Sequence, residues 1–367
     1  MTTNESSPLP NHIIEKVQSY AKSLLEAESS SYAANNAASS SHKFLSTIMT
    51  SGTWGDKVSA LTLLVQESPL HNIRAFENLL NLAGKRNRGQ ALMALGALKD
   101  LLGAGVVLPA ERKLRTFAKQ PGLAAAFAGV KSWSEHDALP GGVEKIHLLV
   151  WIYEDWLKRT YFKMLEQLET WCNDEVEFSR MRALTFVFEL LREKPEQEEN
   201  LLRLLVNKLG DTDKKIASRA SHLLLQLQTT HPSMKSIIIQ AIESDLLLRP
   251  GQKSLAKYYA IITLNQTVLQ TGDPTVANKL LNVYFGLFVL ILTRSKHQFT
   301  SSKNGSEARP SSEDSRKRKR EQHDKKTSPE DQEKADQELE DKIIAQVLTG
   351  INRAFPFSQA DSATYVQ

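Results

Sequence analysis

Positive charge is the most concentrated chemical resource in this sequence. Between Lys85 and Lys119 stand Lys85, Arg86, Arg88, Lys99, Arg112, Lys113, Arg115 and Lys119 against Asp100 and Glu111, a local charge of +6. Groups of this kind hold phosphates by displacing condensed counterions, an interaction that positions nucleic acid without reading its sequence. Lys85, Arg86 and Arg88, then Arg112, Lys113, Arg115 and Lys119, fall at junctions between helical segments, where a loop can line a groove. These seven are the predicted phosphate contacts, and a solvated loop is the competing reading. Further on, Arg316-Lys317-Arg318-Lys319-Arg320, with Lys325 and Lys326 beyond it, has the density and setting of a nuclear import signal. Ser311, Ser312, Ser315 and Ser328 nearby could accept phosphate and weaken that charge. From Glu166 to Glu199 the balance reverses to ten acidic and four basic residues, which reads as a solvated face or a contact for a basic protein.

Other chemistry finds little footing. The nine histidines are scattered, and no His-Glu-x-x-His spacing brings metal ligands together, so no metal or cofactor is predicted. Gly103-Ala104-Gly105 lacks the third glycine and the preceding strand of a dinucleotide loop. Cys172 stands alone beside Trp171, with no histidine or basic cluster nearby in sequence to lower its pKa, and reads as a small core residue. A single cysteine cannot form an internal disulfide, which fits a reducing compartment. Neither an enzyme nor a small-molecule substrate is predicted.

The elements that must position these residues are helical. Of 367 residues 41% are hydrophobic, enough for a substantial core, while 13 Pro and 17 Gly leave little room for frequent β-turns. Ile13, Ile14, Val17, Tyr20, Ala21, Leu24 and Leu25 form one apolar stripe at helical spacing. The Ser/Asn/Ala-rich stretch Ser29–Ser41 lacks that rhythm and predicts a link. From Asp56 to Thr293 helical segments follow one another, with Asp213, Ser233 and Asp273-Pro274 as start signals. Leu280–Thr293, at 14 residues, is shorter than the roughly 20 needed to span a bilayer. It predicts a buried helix, and Met1–Pro10 lacks the pattern of a secretory signal.

An internal repeat organises these helices. Ser179-Arg180-Met181-Arg182-Ala183-Leu184 recurs as Ser218-Arg219-Ala220-Ser221-His222-Leu223 and as Ala256-Lys257-Tyr258-Tyr259-Ala260-Ile261, the basic residue returning after 39 and 38 positions. This is the period of HEAT-type helix pairs, each of which buries its apolar face only against its neighbours. The predicted fold is therefore an all-α HEAT/armadillo-like solenoid, with a compact helical bundle as its competitor. It comprises an N-terminal helix and flexible linker (1–44), a repeat domain (45–297), a disordered charged linker (298–341) and a closing segment (342–367).

Several blocks taken in order resemble the nucleolar-complex and CCAAT-binding-factor family. They include Ser59–Pro69, Ala94–Leu101, Tyr153-Glu-Asp-Trp-Leu-Lys158, Lys194-Pro-Glu-Gln-Glu198, Leu204–Asp211, Ile216–His222, Lys257–Ile261 and Thr349–Phe357. The resemblance implies a nucleolar assembly factor for the large (60S) ribosomal subunit. It would hold pre-ribosomal RNA, a second helical-repeat nucleolar complex protein and other pre-60S assembly factors, without catalysis and without a membrane. A nuclear CCAAT-type DNA-associated transcription regulator is the alternative. Members of the family continue well beyond the Asn-Arg-Ala-Phe-Pro-Phe block, so a truncated form is expected, with a poorly packed closing segment.

Overall fold

A helix with an apolar stripe must bury it against another element. The structure meets that demand with α-helices alone, and no strand occurs among its described residues. It is a computed structural model that describes residues 10–105, 107–270, 272–303 and 329–358. The fold is an all-α helical repeat. It divides into two units, Met1–Leu204 and Leu205–Gln367, at a boundary inside the expected 45–297 repeat domain.

The first unit opens with α1 (Asn11–Asn36), α2 (Ser40–Ser51), α3 (Trp54–Glu67), α4 (Ile73–Ala83) and α5 (Arg88–Leu102). A short α6 (Pro121–Ala126) precedes the long α7 (Lys145–Cys172), α8 (Glu177–Glu193) and the start of α9 (Glu198–Asn207). α1 buries Ile13, Val17, Ala21 and Leu25 against Phe117, Phe127, Trp133, Leu148 and Ile152, so the stripe seen in the sequence meets α7 and the segment before it. The stretch expected to be a link is instead helical to Asn36, and α2 begins at Ser40. Beyond the apolar stripe Tyr32 stacks on His71 at 4.3 Å, a contact that holds the continued helix.

The second unit contains α10 (Lys214–Thr230), α11 (Lys235–Ile242), α12 (Ser254–Asn265), α13 (Pro274–Lys303) and α14 (Pro329–Ala354). The repeated block lies on α8, α10 and α12. Small residues are buried in or beside each copy: Ser179 and Ala183, Ala217 and Ala220, Ala256 and Ala260, while Ser218 is exposed. Between α12 and α10 the approach is close enough for the Thr263 hydroxyl to donate to that of Ser221 at 2.8 Å. Asp213 caps α10 by accepting from the Lys215 N–H at 2.9 Å, and Pro274 opens α13 as its position suggested. Ser233 caps nothing, because it lies inside a 3₁₀ turn, Pro232–Met234, that leads into α11.

Two expectations about the C-terminal part change. Over Pro274–Thr293 α13 is long and apolar enough to cross a membrane, which the shorter run counted in the sequence was not. Its Val276, Ala277, Leu280, Leu281, Val283, Tyr284 and Leu287 are buried against neighbouring helices, while Val289, Leu290 and Leu292 are exposed. The described part of the closing segment, to residue 358, is well seated rather than poorly packed. α14 lies on α12 and α13, with Ile343, Val347 and Ala354 buried. The Arg353 guanidinium donates to the Thr267 carbonyl at 2.8 Å. Of the expected 298–341 linker, α13 covers the beginning and α14 the end. The basic run Arg316–Arg320 with Lys325 and Lys326 lies outside the described residues.

Candidate nucleic-acid interface

Three carboxylates with almost no exposure anchor the segment that carries Arg112, Lys113, Arg115 and Lys119: Glu154 at 6%, Asp155 at 4% and Glu196 at 2%. Glu154 accepts from the Arg112 guanidinium, from the Arg115 N–H at 2.8 Å and from the Gln120 amide at 3.0 Å. Asp155 accepts from the Phe117 N–H at 3.2 Å, from Gln18 of α1 and from Arg159. Glu196 accepts from the Leu114 N–H at 2.6 Å and from Lys158, which also donates to the Leu114 carbonyl at 2.9 Å. An irregular segment can be held against a helix only if its backbone groups find partners, and these carboxylates supply them. Burial pushes the Glu154 carboxyl up, but the bonds from Arg112, Arg115 and Gln120 outweigh it and hold Glu154 below the usual range.

The basic and acidic zones of the sequence meet at three pairs. Arg88 grips Asp174 with two bonds of 2.7 and 3.0 Å, Lys99 pairs with Glu189 at 2.6 Å, and Lys113 pairs with Glu198 at 2.6 Å. The Arg88 bond holds the Asp174 carboxyl at about 2, and each of the three cations is raised above its ordinary value. For Lys99 burial works against the charge, and the bonds to Asp100 and Glu189 overcome it. Asp174, Glu189 and Glu198 of the acidic zone are therefore internal counter-charges, a pairing that neither zone announced separately.

All seven predicted phosphate contacts are exposed, yet they do not form one patch. Arg88 meets α7 at its C-terminal end, Asp174, and Arg112 meets it at Glu154. At 1.5 Å per residue these points are roughly 30 Å apart. Arg88, Arg112 and Lys113 are committed to carboxylates, while Lys85, Arg86, Arg115 and Lys119 form no ion pair among the described residues. The α4–α5 turn is fixed by Asn87, whose side chain accepts from the Gln90 N–H at 3.2 Å. It carries Lys85 over the half-exposed Trp54 ring at 4.6 Å, with Lys57 over the same ring at 5.6 Å. A hollow of about 500 Å³ opens beside it, lined by Lys85, Arg86, Arg88, Gln167, Trp171 and Asp174.

Comparison with known proteins decides the family. No family model matches the chain. It is 52% identical over 355 residues, 96% of its length, to "Ribosome biogenesis protein NOC1" of Chaetomium thermophilum. It is 33% identical over 365 residues, 97% of its length, to "CCAAT/enhancer-binding protein zeta" of Homo sapiens. The chain belongs to the nucleolar-complex and CCAAT-binding-factor family. A further relative, "Nucleolar complex protein 1" of Drosophila melanogaster, is 30% identical over 275 residues, 74% of this chain. The chain spans 33%, 29% and 22% of the length of these three relatives, respectively. Two of the blocks that carry the family likeness have a structural task in the first unit. Tyr153–Lys158 supplies Glu154, Asp155 and Lys158 of the clamp, and Lys194–Glu198 supplies Glu196 and the Glu198 partner of Lys113. The likeness of these blocks was legible in the sequence, whereas the role of their carboxylates was not.

Proposed function

We propose that the chain is part of a non-enzymatic nucleolar scaffold in biogenesis of the large (60S) ribosomal subunit. In this reading it binds pre-ribosomal RNA and assembly-factor proteins, a second helical-repeat nucleolar complex protein among them, in the nucleus and nucleolus. The observation that carries the proposal is the 52% identity across nearly the whole chain with a relative named for ribosome biogenesis. The geometry supports it through exposed cations on a helical scaffold, Lys85 and Arg86 at the α4–α5 turn, and Arg115 and Lys119 on the clamped segment. Such groups bind phosphate without reading bases. Arg316–Arg320 with Lys325 and Lys326 serves nuclear import in this proposal, and replacing Arg316–Arg320 by alanine should reduce nuclear accumulation.

The name of the human relative, "CCAAT/enhancer-binding protein zeta", favours one competitor, a CCAAT-type DNA-associated transcription regulator. Gradient sedimentation of nuclear extracts separates the two. The scaffold reading expects the tagged protein to run with 60S precursors and to leave them after ribonuclease treatment. It also expects steep salt dependence on nucleic acid without preference for a DNA sequence. Sedimentation apart from these particles, with a preference of about 10³ or more for one duplex over random DNA, would establish the regulator instead.

A further inference from the structure

We propose that a trough along α7 in the first unit binds a single-stranded stretch of RNA, using cations mostly different from those the sequence singled out. The proposal rests on the pre-ribosomal RNA reading above and gives that interaction a place. Three hollows of about 650, 510 and 500 Å³ follow one another along the helix. The first two share Glu77, Leu80 and Lys163, and the second and third share Gln167 and Thr170, so they are continuous. On α7 the lining runs Ile152, Trp156, Thr160, Lys163, Gln167, Trp171, which is one helical face. That face extends for roughly 30 Å. α1 and α4 line the first hollow with it.

Two indoles tie α4 to α7 across this face. Trp156 meets Phe76 edge-on at 5.6 Å and donates to Glu77 at 3.2 Å, while the Trp171 N–H donates to the Ala83 carbonyl at 3.0 Å. Around them are cations from separate elements. Lys22 of α1, Arg74 of α4 and Lys163 of α7 are exposed at the first hollow and form no ion pair among the described residues, and Lys85 and Arg86 stand at the far end. Arg159 and Arg88 also line the trough but are neutralised by Asp155 and Asp174. Against the unpaired cations stand Glu26, Glu77 and Glu166, since the neutral Trp156 indole bonds to Glu77 without cancelling its charge; with Lys85 and Arg86 the cations still outnumber them.

Cations spread along a trough suit a ligand with charge at regular intervals. A partly exposed indole adds a preference. Trp156, which packs against the Tyr153 ring at 5.6 Å, lines the first hollow. An unpaired base stacks on such a ring for about 1–3 kcal/mol, which a base-paired duplex forgoes and an acidic peptide cannot supply through its carboxylates. The length falls within the ~4–16 nucleotides typical of single-strand sites.

The test is fluorescence anisotropy of a labelled twelve-residue oligouridylate against the chain, over a range of salt. Arg74→Ala/Lys163→Ala should weaken binding about tenfold and lower the log–log salt slope by about 1.4, at about 0.7 for each phosphate no longer neutralised on a single strand. Trp156→Leu should weaken binding with the slope kept, and Lys131→Ala/Lys145→Ala, which removes two exposed cations outside the trough, should change little. Arg74 and Lys163 are exposed, so an unchanged melting temperature verifies that the double variant folds. If Arg74→Ala/Lys163→Ala binds like wild type while Arg115→Ala/Lys119→Ala loses affinity, the trough is wrong and the RNA reading survives elsewhere. Failure of the wild-type chain to bind any single-stranded or duplex RNA overturns the RNA reading itself. Equal competition by polyglutamate overturns the proposal in favour of an acidic protein partner.

Discussion

Glu154→Ala is expected to lower the unfolding free energy of the first unit by about 3 kcal/mol. The side chain is 6% exposed and accepts from a guanidinium, a backbone N–H and a buried amide. Alanine leaves Gln120, itself 3% exposed, and the Arg115 N–H without their acceptor and strips Arg112 of its counter-charge. Against a typical total of about 5–15 kcal/mol the loss is large, and a urea melt will register it. Because the Glu154 carboxyl is held below its ordinary value, its contribution is fully present above the unfolded pKa of about 4.3. It disappears as pH falls through the lower folded value. Glu154→Gln should keep part of the bonding and remove that component of acid sensitivity. A Glu154→Ala variant within about 0.5 kcal/mol of wild type would mean that the 112–120 segment is held by its apolar contacts alone.

The second large effect is expected in the other unit, at Gly350 on α14. A Cβ there would stand 2.5 Å from Cζ of Tyr284 and 2.6 Å from Oδ1 of Asn265. These neighbours are fixed to each other, since the Tyr284 hydroxyl donates to Asn265 Oδ1 at 2.7 Å. The Asn265 amide in turn donates to the Gln346 carbonyl at 2.9 Å. Neither can retreat without breaking one of these bonds, so Gly350→Ala should cost about 2 kcal/mol or more through overpacking. Hydrogen exchange should show the amides of α14 losing protection before those of α10. Unchanged protection in the variant would contradict the seating of α14 on α12 and α13.

Helix identity and the repeat were legible because both depend on spacing. Arg180, Arg219 and Lys257 return on α8, α10 and α12, with small residues buried beside them. The Ser/Ala run after Leu25 was misread because apolar rhythm ended there, whereas Tyr32 on His71 gives the helix a contact beyond its stripe. Charge was the least legible property. Asp174, Glu189 and Glu198 looked like a solvated or partner-facing zone, yet they meet Arg88, Lys99 and Lys113, which lie more than eighty residues earlier in the chain. Lys22, Arg74 and Lys163 stood alone in the sequence, so no local count could group them. Only the packing of α1, α4 and α7 brings them to one trough.

Whether the exterior of a helical scaffold, and above all the trough along α7, holds RNA is decided by ultraviolet crosslinking in cells, followed by mass spectrometric identification of the RNA-bearing peptides. Crosslinks are expected on peptides containing Trp156 and Lys163 and on the α4–α5 turn at Lys85 and Arg86, attached to precursor rRNA. Crosslinks confined to other parts of the chain, or attached chiefly to messenger RNA or DNA, would mean that the trough is not where this protein meets its ligand.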